Sequence, residues 1–416
     1  MTTANTERTA SAGLDPSSAN PWISVRAQMH DHAMTLAGIP ARKFYRDART
    51  FFDTWREVAA YYEMDVVNNA LADGYNFEIE AMGGKMIYSD NAMPTIDSRE
   101  PLIKQPADLY KLRTPDFYND GRLPYALEYM RLCNTKFGLF CGIFSMAVGM
   151  RSYSALIKDM RKRPEFAHEI FTFITDEVLA PYLKVQKEYC GIEVAEGADA
   201  WASVPNLSVQ ELKEWVVPYN QRLIKTAEKF GIKTILASAD YCEEDPLKFD
   251  EEVVKASFDV QIGSRIGDIA IPNLKVPDED TITRMKKHAE TAELIALAMG
   301  RWHEYSLDPV REYTSKFREK GINFSIRVGV NARLLRDGPV DKIVNSVKRY
   351  IEAFARDHRM IISLANIPSD APSEHIHAAV AAVHTYGRLP IADDLDKIEF
   401  TLPQRETYQE WKRKRS

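Results

Sequence analysis

The chain has 416 residues, of which 45% are hydrophobic and 27% are charged, values typical of a globular protein with a large core. Its formal net charge is −6 and no stripe of Lys and Arg alternates with aromatic residues, so composition gives no sign of a nucleic-acid surface. No run of about 18 apolar residues occurs, and the sequence therefore predicts no membrane span. A small-molecule substrate is the expected partner.

The N-terminal region is predicted to contain a tail, a helical part and a hairpin. Residues 1–20 are polar and lack the apolar core of a signal peptide, which predicts a disordered tail and a cytoplasmic protein. Residues 40–62 have helical spacing with an aromatic face. Residues 77–88 alternate about a Gly-Gly pair, which predicts a β-hairpin. We assign 21–136 as the N-terminal helical and hairpin part of one barrel domain.

From about residue 137 short apolar runs are followed by amphipathic helices, the pattern of βαβ units and a parallel sheet. Helices are predicted over 164–189, 208–230 and 310–320. Residues 137–395 are assigned to the rest of the barrel and 396–416 to a C-terminal extension. The predicted strands are 139–144, 191–195, 234–238, 294–298, 324–328 and 360–364.

A barrel requires two more strands, which we assign to the weakly marked segments 65–67 and 258–262. The rival architecture, an open doubly wound sheet, would be expected to carry a glycine-rich phosphate loop, and the sequence has none. The predicted fold is therefore α/β, a single (β/α)8 TIM-type barrel with an N-terminal helical segment and a β-hairpin.

Several short segments, in one order and with consistent spacing, resemble the uroporphyrinogen decarboxylase superfamily over about residues 61–386. The resemblance implies one barrel whose active site lies at the carboxyl ends of the strands, as in such barrels generally. The segments are Glu80-Ala-Met-Gly83, Arg163-Pro-Glu-Phe-Ala-His168, Asp199-Ala-Trp-Ala-Ser203, Trp215-Val-Val-Pro-Tyr219, Gly329-Val-Asn331, Arg333-Leu-Leu335 and Gly338-Pro339.

The departures from that superfamily bear on the reaction. True uroporphyrinogen decarboxylases carry an N-terminal Arg-Gln-Ala-Gly-Arg segment that binds the substrate's carboxylates, and this chain has none, which argues against a porphyrinogen substrate. The catalytic aspartate of the family aligns loosely with Asp73. The sequence as a whole resembles the corrinoid-dependent methyltransferases more closely. The positions of their three zinc ligands correspond here to Ala237, Ala239 and Ala365, which cannot coordinate a metal.

Strand-end residues are the candidates for chemistry, because side chains there point into the mouth of a barrel. His303 follows the run 294–298 and is the only histidine that we place at a strand's carboxyl end; it is predicted to act in acid-base catalysis, or otherwise to bond to backbone in a capped loop. Asp240 is a second acid-base candidate or a helix cap. Asn366 would fix a substrate carbonyl or amide, or supply a turn. The predicted catalytic residues are His303, Asp240, Asp73 and Asn366.

Arg327 lies in an apolar strand, so it should face a carboxylate partner, for which Asp240 or Asp199 is the structural alternative, or an anionic ligand. The predicted substrate-binding residues are Arg327, Arg301, Trp302, Asp199 and Tyr241. No metal site is predicted, although His303 with rim carboxylates offers replacement zinc ligands. His375 and His377 are discounted because residues i and i+2 of a helix point to different faces.

The leading hypothesis is a methyltransferase that moves a methyl group from a small methylated substrate to a corrinoid protein or to tetrahydrofolate, with no cofactor bound tightly in this chain. The lost zinc ligands argue against a thiol acceptor. The alternatives are a decarboxylase or lyase acting on a small acid, and a noncatalytic partner subunit. The sequence leaves a homodimer open.

Overall fold

A computed structural model describes residues 21–66, 76–204, 206–237, 293–296, 325–357, 359–364 and 366–415, with single positions between 307 and 319. Parallel strands in these ranges form two sheets, ordered β1-β9-β8-β7 and β4-β5-β6, and a short antiparallel pair joins β2 to β3. The strands are β1 (Ser24–Ala27), β2 (Met86–Ile87), β3 (Thr95–Ile96), β4 (Phe137–Cys141), β5 (Val194–Ala198), β6 (Lys233–Ala237), β7 (Glu293–Ala296), β8 (Ser325–Val330) and β9 (Arg359–Leu364).

Helices follow the parallel strands and cover the outer face of the sheets. The predicted helices 164–189 and 208–230 are confirmed, each with a π-helical stretch, Ile174–Leu179 and Leu212–Val216. In the described ranges the α-helices of eight residues or more are His30–Ala37, Ala48–Tyr61, Leu123–Cys133, Ile143–Arg151, Tyr153–Lys162, Pro164–Phe173, Ala180–Cys190, Val217–Lys229, Val340–Phe354 and Ser373–Tyr386. Shorter ones are Ala41–Phe44, Phe77–Ala81, Pro106–Leu109, Val209–Glu211, Ala332–Asp337 and Tyr408–Arg413, with a 3-10 turn at Leu395–Lys397.

The two sheets face each other across a barrel interior. Arg327 of β8 donates to Glu196 of β5 at 2.7 Å, and both side chains are buried, so strands of different sheets meet inside. The helices pack on the opposite faces, where Val25, Val328 and Ile362 belong to the main hydrophobic core. The fold is a TIM barrel, as the sequence predicts.

Two predicted elements are wrong in detail. The first strand of the barrel is β1, which the sequence pattern missed because only four residues form it. The predicted hairpin over 77–88 exists only in its second half, since Phe77–Ala81 is a helix and β2 pairs with β3. The helix is favoured because it brings the Glu78 carboxylate to the backbone N–H of Cys141, at 2.9 Å in the core.

The weak strand predicted at 65–67 is not formed at 65–66, where the chain bends, although the Asp65 N–H donates to the Val25 carbonyl of β1 at 3.2 Å. Its remainder, the segment 258–262 and most of the predicted helix 310–320 lie outside the described residues. No helix in the described ranges is both long enough and apolar enough to cross a bilayer.

Candidate functional site at the barrel mouth

The buried pair Arg327–Glu196 closes the interior below the mouth. Their side chains are 7% and 5% exposed, and the bond between them is charge-assisted. The sequence predicted a buried carboxylate partner for Arg327, and Glu196 is such a partner. Of the two suggested aspartates, Asp199 bonds to the start of the helix Ile143–Arg151, and Asp240 lies outside the described residues. The strand predicted over 191–195 runs on to Ala198, so Glu196 lies within β5 rather than after it. The structure thus gives Arg327 an interior carboxylate, and its role toward substrate stays a prediction.

The register of the strands places small side chains in the layer above this pair. Side chains alternate between the two faces of a strand, so Gly329 of β8 shares the inner face with Arg327, two residues nearer the mouth. Gly329 is paired with Ser363 of β9, and Ser363 with Arg26 of β1. On the other sheet Ala198 of β5 lies two residues beyond Glu196. Among the described residues of this layer the side chains are small apart from Arg26, which is the cation there.

The burial pattern supports that assignment of faces. Ile361 and Leu139 are in register with Arg327 and Glu196 respectively, which puts them on the inner face. Both are buried, yet neither belongs to the core between the sheets and the helices. Arg26 is half-buried, consistent with a guanidinium at the entrance of the interior.

Sequence reasoning missed Arg26 as a site residue because β1 was not identified. The available signal was the short apolar run around Ile23 and Val25, with Arg26 at its carboxyl end. An arginine inside such a run is the same pattern that singled out Arg327.

Asp199 follows β5 directly and is built into the start of a helix. Its carboxylate accepts from the N–H groups of Phe144 and Ser145 at 3.0 and 2.8 Å, and from the Ser145 hydroxyl at 2.7 Å. Burial raises the pKa of Asp199, and these hydrogen bonds oppose that shift. A Cβ at Gly142 would come within 2.2 Å of the Asp199 Cβ, so glycine is required there. Asp199 positions the β4 and β5 ends, and its predicted contact with substrate stays a prediction.

The motif at Glu80-Ala-Met-Gly83 holds a second buried ion pair. Arg122 is 5% exposed and donates from Nε to Glu80 at 2.6 Å, while its guanidinium lies 4.8 Å from the centre of the Phe77 ring. The Tyr88 hydroxyl donates to the other Glu80 oxygen at 2.5 Å. These contacts join the helix Phe77–Ala81 to the hairpin and to the helix Leu123–Cys133.

Two histidines also lie near a strand's carboxyl end, which corrects the prediction that His303 alone does so. His30 and His32 follow β1 and were placed before the barrel only because that strand was missed. His30 packs against the rings of Phe51 and Trp55, and burial lowers its pKa to about 4. It is a core residue, and its unpredicted position does not by itself make it catalytic.

His32 connects the helix after β1 to the loop after β9. Its Nδ1 is 3.1 Å from the Pro368 carbonyl and its Nε2 is 2.7 Å from the Tyr62 hydroxyl. A carbonyl can only accept, so Nδ1 carries the proton and Nε2 of the neutral ring accepts from Tyr62. Burial lowers the pKa of His32 to about 4, which agrees with the neutral form. His32 therefore links the helix after β1 to the loop after β9 through its hydrogen bond to the Pro368 carbonyl.

Asn366 lies two residues beyond β9 and is exposed, with φ of 49°. Asparagine adopts this left-handed conformation more readily than most residues do, so Asn366 is suited to the turn after β9. This conformation does not test the predicted catalytic role of Asn366, which stays a prediction. The remaining predicted residues lie outside the described residues: His303, Asp240, Asp73, Arg301, Trp302 and Tyr241.

The residues do not fit the zinc site that the methyltransferase relatives imply. Alanine occupies all three corresponding positions, of which Ala237 ends β6, and a methyl group has no lone pair for a metal. In the part of the chain that the structure describes, His, Cys, Asp and Glu form no group of three or more that could hold a metal ion. Whether His303 and rim carboxylates replace the lost ligands stays a prediction.

Comparison with known proteins agrees with this geometry. A uroporphyrinogen decarboxylase (URO-D) from Syntrophotalea carbinolica is 30% identical over 171 residues, and one from Myxococcus xanthus is 27% identical over 169 residues. Each match covers 38% of this chain and 46% of the relative, so it spans about half the length of the curated relatives. A methyltransferase from Methanosarcina mazei superposes with a TM-score of 0.63 at 17% identity, covering 90% of this chain and 96% of that one.

The low identity of the Methanosarcina match makes it evidence for the fold alone. The family model is more specific, because it covers the segments at β1, Glu80, Asp199 and β6 that build the mouth. It matches residues 20–243, more than half of the 416 residues. The chain belongs to the uroporphyrinogen decarboxylase (URO-D) family.

Proposed function

We propose that the protein is a methyltransferase that takes a methyl group from a small anionic methylated compound and passes it to a corrinoid or a folate. The observation that carries the proposal is the inner layer at the mouth, where Arg26 is in register with Ser363 and Gly329, and where Ala198 lies on the inner face of the other sheet. Small side chains leave room for a compact donor, and a guanidinium can hold its anionic group in two parallel hydrogen bonds. The chain's similarity in fold to a methyltransferase supports the choice.

Each residue would have a limited task in this reaction. Arg26 would fix the donor's anion and turn its methyl group toward the open mouth. The methyl carbon leaves its O or N atom as a cation equivalent and bonds to the nucleophilic acceptor atom, while the leaving atom retains the electron pair and gains a proton. His303, Asp240 or Asp73 would supply that proton. Since the zinc ligands of the thiol-activating relatives are alanines here, a thiol acceptor is not proposed.

The test uses the purified full chain with methylated carboxylic acids and methylated amino acids as donors. Reduced cobalamin and tetrahydrofolate serve as separate acceptors, and methylated product is measured by absorbance or mass spectrometry. We expect turnover with one acceptor and a drop of about 10²-fold in kcat/KM for Arg26→Ala, with much of the loss in KM. Arg99→Ala, an arginine whose side chain is 80% exposed, should retain full activity.

Decarboxylation of a small acid is the second candidate, because the same Arg26 would bind a carboxylate next to a predicted acid-base group. The curated relatives act as uroporphyrinogen decarboxylases, as their names state. The two reactions are separated by their products. Release of CO₂ from an unmethylated acid, with no methylated acceptor formed, would replace the first proposal with the second.

A further inference from the structure

Trp201 is an exposed aromatic residue at the rim of the barrel mouth. It lies three residues beyond the end of β5, on the carboxyl side of the strand, and is 41% exposed. Its neighbours Ala202 and Ser203 are buried. A tryptophan is large and apolar, so this exposure leaves a considerable apolar area in water next to the site.

The loop that carries Trp201 is held firmly. Asp199 is bonded to the start of the helix Ile143–Arg151, and the Trp201 N–H donates to the Ser145 hydroxyl at 3.2 Å. The Ala202 N–H donates to the Asp199 carbonyl at 3.1 Å, and the Ser203 hydroxyl donates to the Ala200 carbonyl at 2.9 Å. The ring is thus displayed on a fixed backbone.

Tyr153 completes a two-ring platform. The ring centres of Trp201 and Tyr153 are 5.3 Å apart, with 29° between their planes, a stacked arrangement. The Tyr153 hydroxyl donates to the Asn206 carbonyl at 2.5 Å, which fixes the second ring as well. Just before it Ser152 has φ of 70°, a conformation that costs free energy for a residue with a side chain. The fold accepts that cost where the chain turns to place Tyr153 beside Trp201.

We infer that the Trp201–Tyr153 platform binds the conjugated ring system of the methyl acceptor. This inference rests on the proposed function, in which the methyl donor binds at Arg26 inside the mouth and the acceptor must approach from the rim of the barrel. A rigid aromatic pair suits a flat conjugated face, because little side-chain entropy is lost on binding. The corrin ring of a corrinoid and the pterin of a folate share that chemistry.

The test measures ring binding without turnover. Hydroxocobalamin and tetrahydrofolate are titrated separately into the full chain by calorimetry, with no methyl donor present. For the ring that binds, we expect Trp201→Ala to weaken binding about tenfold or more and Trp201→Phe to stay within about threefold of wild type. Tyr110→Ala is the matched control, because Tyr110 is 71% exposed on the outer surface and should not affect binding.

Binding of only one ring identifies the acceptor's chemistry and supports the inference. It is overturned if neither ring binds the wild type, if Trp201→Ala binds as tightly as wild type, or if Tyr110→Ala weakens binding equally. Circular dichroism of each variant excludes misfolding as the cause. Ring binding that depends on Trp201, with no methyl transfer from any donor, would retain the platform and remove the proposed function.

Discussion

The outer and inner faces of the same barrel strands carry different kinds of side chain. On the outer face Val25, Val328 and Ile362 are fully buried beneath helices and make only apolar contacts with the core. On the inner face of these strands Arg26 and Arg327 carry charges. Apolar side chains of similar volume can replace one another in a core at modest cost, whereas a buried charge depends on its particular partner.

That difference separates the evidence for the fold from the evidence for the reaction. The outer face specifies a barrel, and very different members of one family can share it. In the described part of the inner layer at the mouth Arg26 lies beside small side chains, and alanine stands where the resemblance to the corrinoid-dependent methyltransferases implies zinc ligands. The residues that carry the reaction are therefore expected on the inner face.

The largest expected effect is at the interior pair. Arg327→Met leaves Glu196 buried without its guanidinium and should lower the free energy of unfolding by about 3–5 kcal/mol. The double variant Arg327→Met with Glu196→Gln removes both charges and should recover part of this loss. Lys136→Met, which breaks an exposed pair with Glu193, should change the stability far less, because solvent screens that pair.

Urea denaturation of the four proteins provides the measurement. If Arg327→Met were no more harmful than Lys136→Met, the two barrel faces would not differ as we argue. A double variant as unstable as Arg327→Met would show that the Glu196 charge, left without Arg327, is not the cause of the instability.

The next effect concerns pH and lies outside the barrel interior. Burial lowers the pKa of His32 to about 4, below its ordinary value of 6.5, so the folded state binds fewer protons than the unfolded state between these values. The contribution of neutral His32 to the free energy of unfolding is fully present above pH 6.5. It is lost as pH falls toward 4, and the total loss is about 3 kcal/mol. Unfolding free energies from pH 7.5 to 4.5 should show it.

His32→Gln is the comparison for this measurement, since its side chain does not titrate. Its stability at pH 7.5 should be lower, because the contacts to Tyr62 and Pro368 change, but its decline with acid should be shallower by up to about 1.4 kcal/mol per pH unit. Identical acid slopes in both proteins would remove His32 from the explanation. His30 and His377, whose pKa values burial also lowers to about 4, should account for part of the slope that remains.

A smaller effect tests the inner cation through ligand binding. A small carboxylate or phosphate that binds Arg26 should stabilise the folded state and so raise the melting temperature. At a ligand concentration of 100 times its Kd the stabilisation is about 2.7 kcal/mol. Arg26→Ala should abolish most of that increase, while Arg99→Ala should preserve it. A screen in which both variants respond like wild type would place the anion elsewhere.

The outer face also explains how much of the structure the sequence could predict. The strands β4 to β9 were found, each within a few residues, because buried apolar runs followed by amphipathic helices give a repeated signal. β1 was missed because four residues with an arginine among them give little signal. That omission concealed Arg26 as a site residue and misplaced His30 and His32.

The candidate site was less predictable for a physical reason. The partner of Arg327 depends on which strands lie opposite each other, and Glu196 is 131 residues away in the chain. Nor could spacing reveal that Asp199 accepts hydrogen bonds from the first turn of the helix Ile143–Arg151. Such contacts depend on three-dimensional register, which local periodicity does not encode.

The smallest predicted effect concerns Asn366, which could serve catalysis or only the turn after β9. Glycine adopts its φ of 49° without strain, whereas alanine would cost about 1–2 kcal/mol there. Asn366→Gly should therefore keep the melting temperature close to wild type, and Asn366→Ala should lower it. Activity separates the roles: if the amide contacts substrate, both variants lose turnover alike, and if Asn366 only forms the turn, Asn366→Gly remains active. Full activity in Asn366→Gly would therefore remove this residue from the mechanism and leave the mouth's chemistry to Arg26 and the predicted acid-base groups.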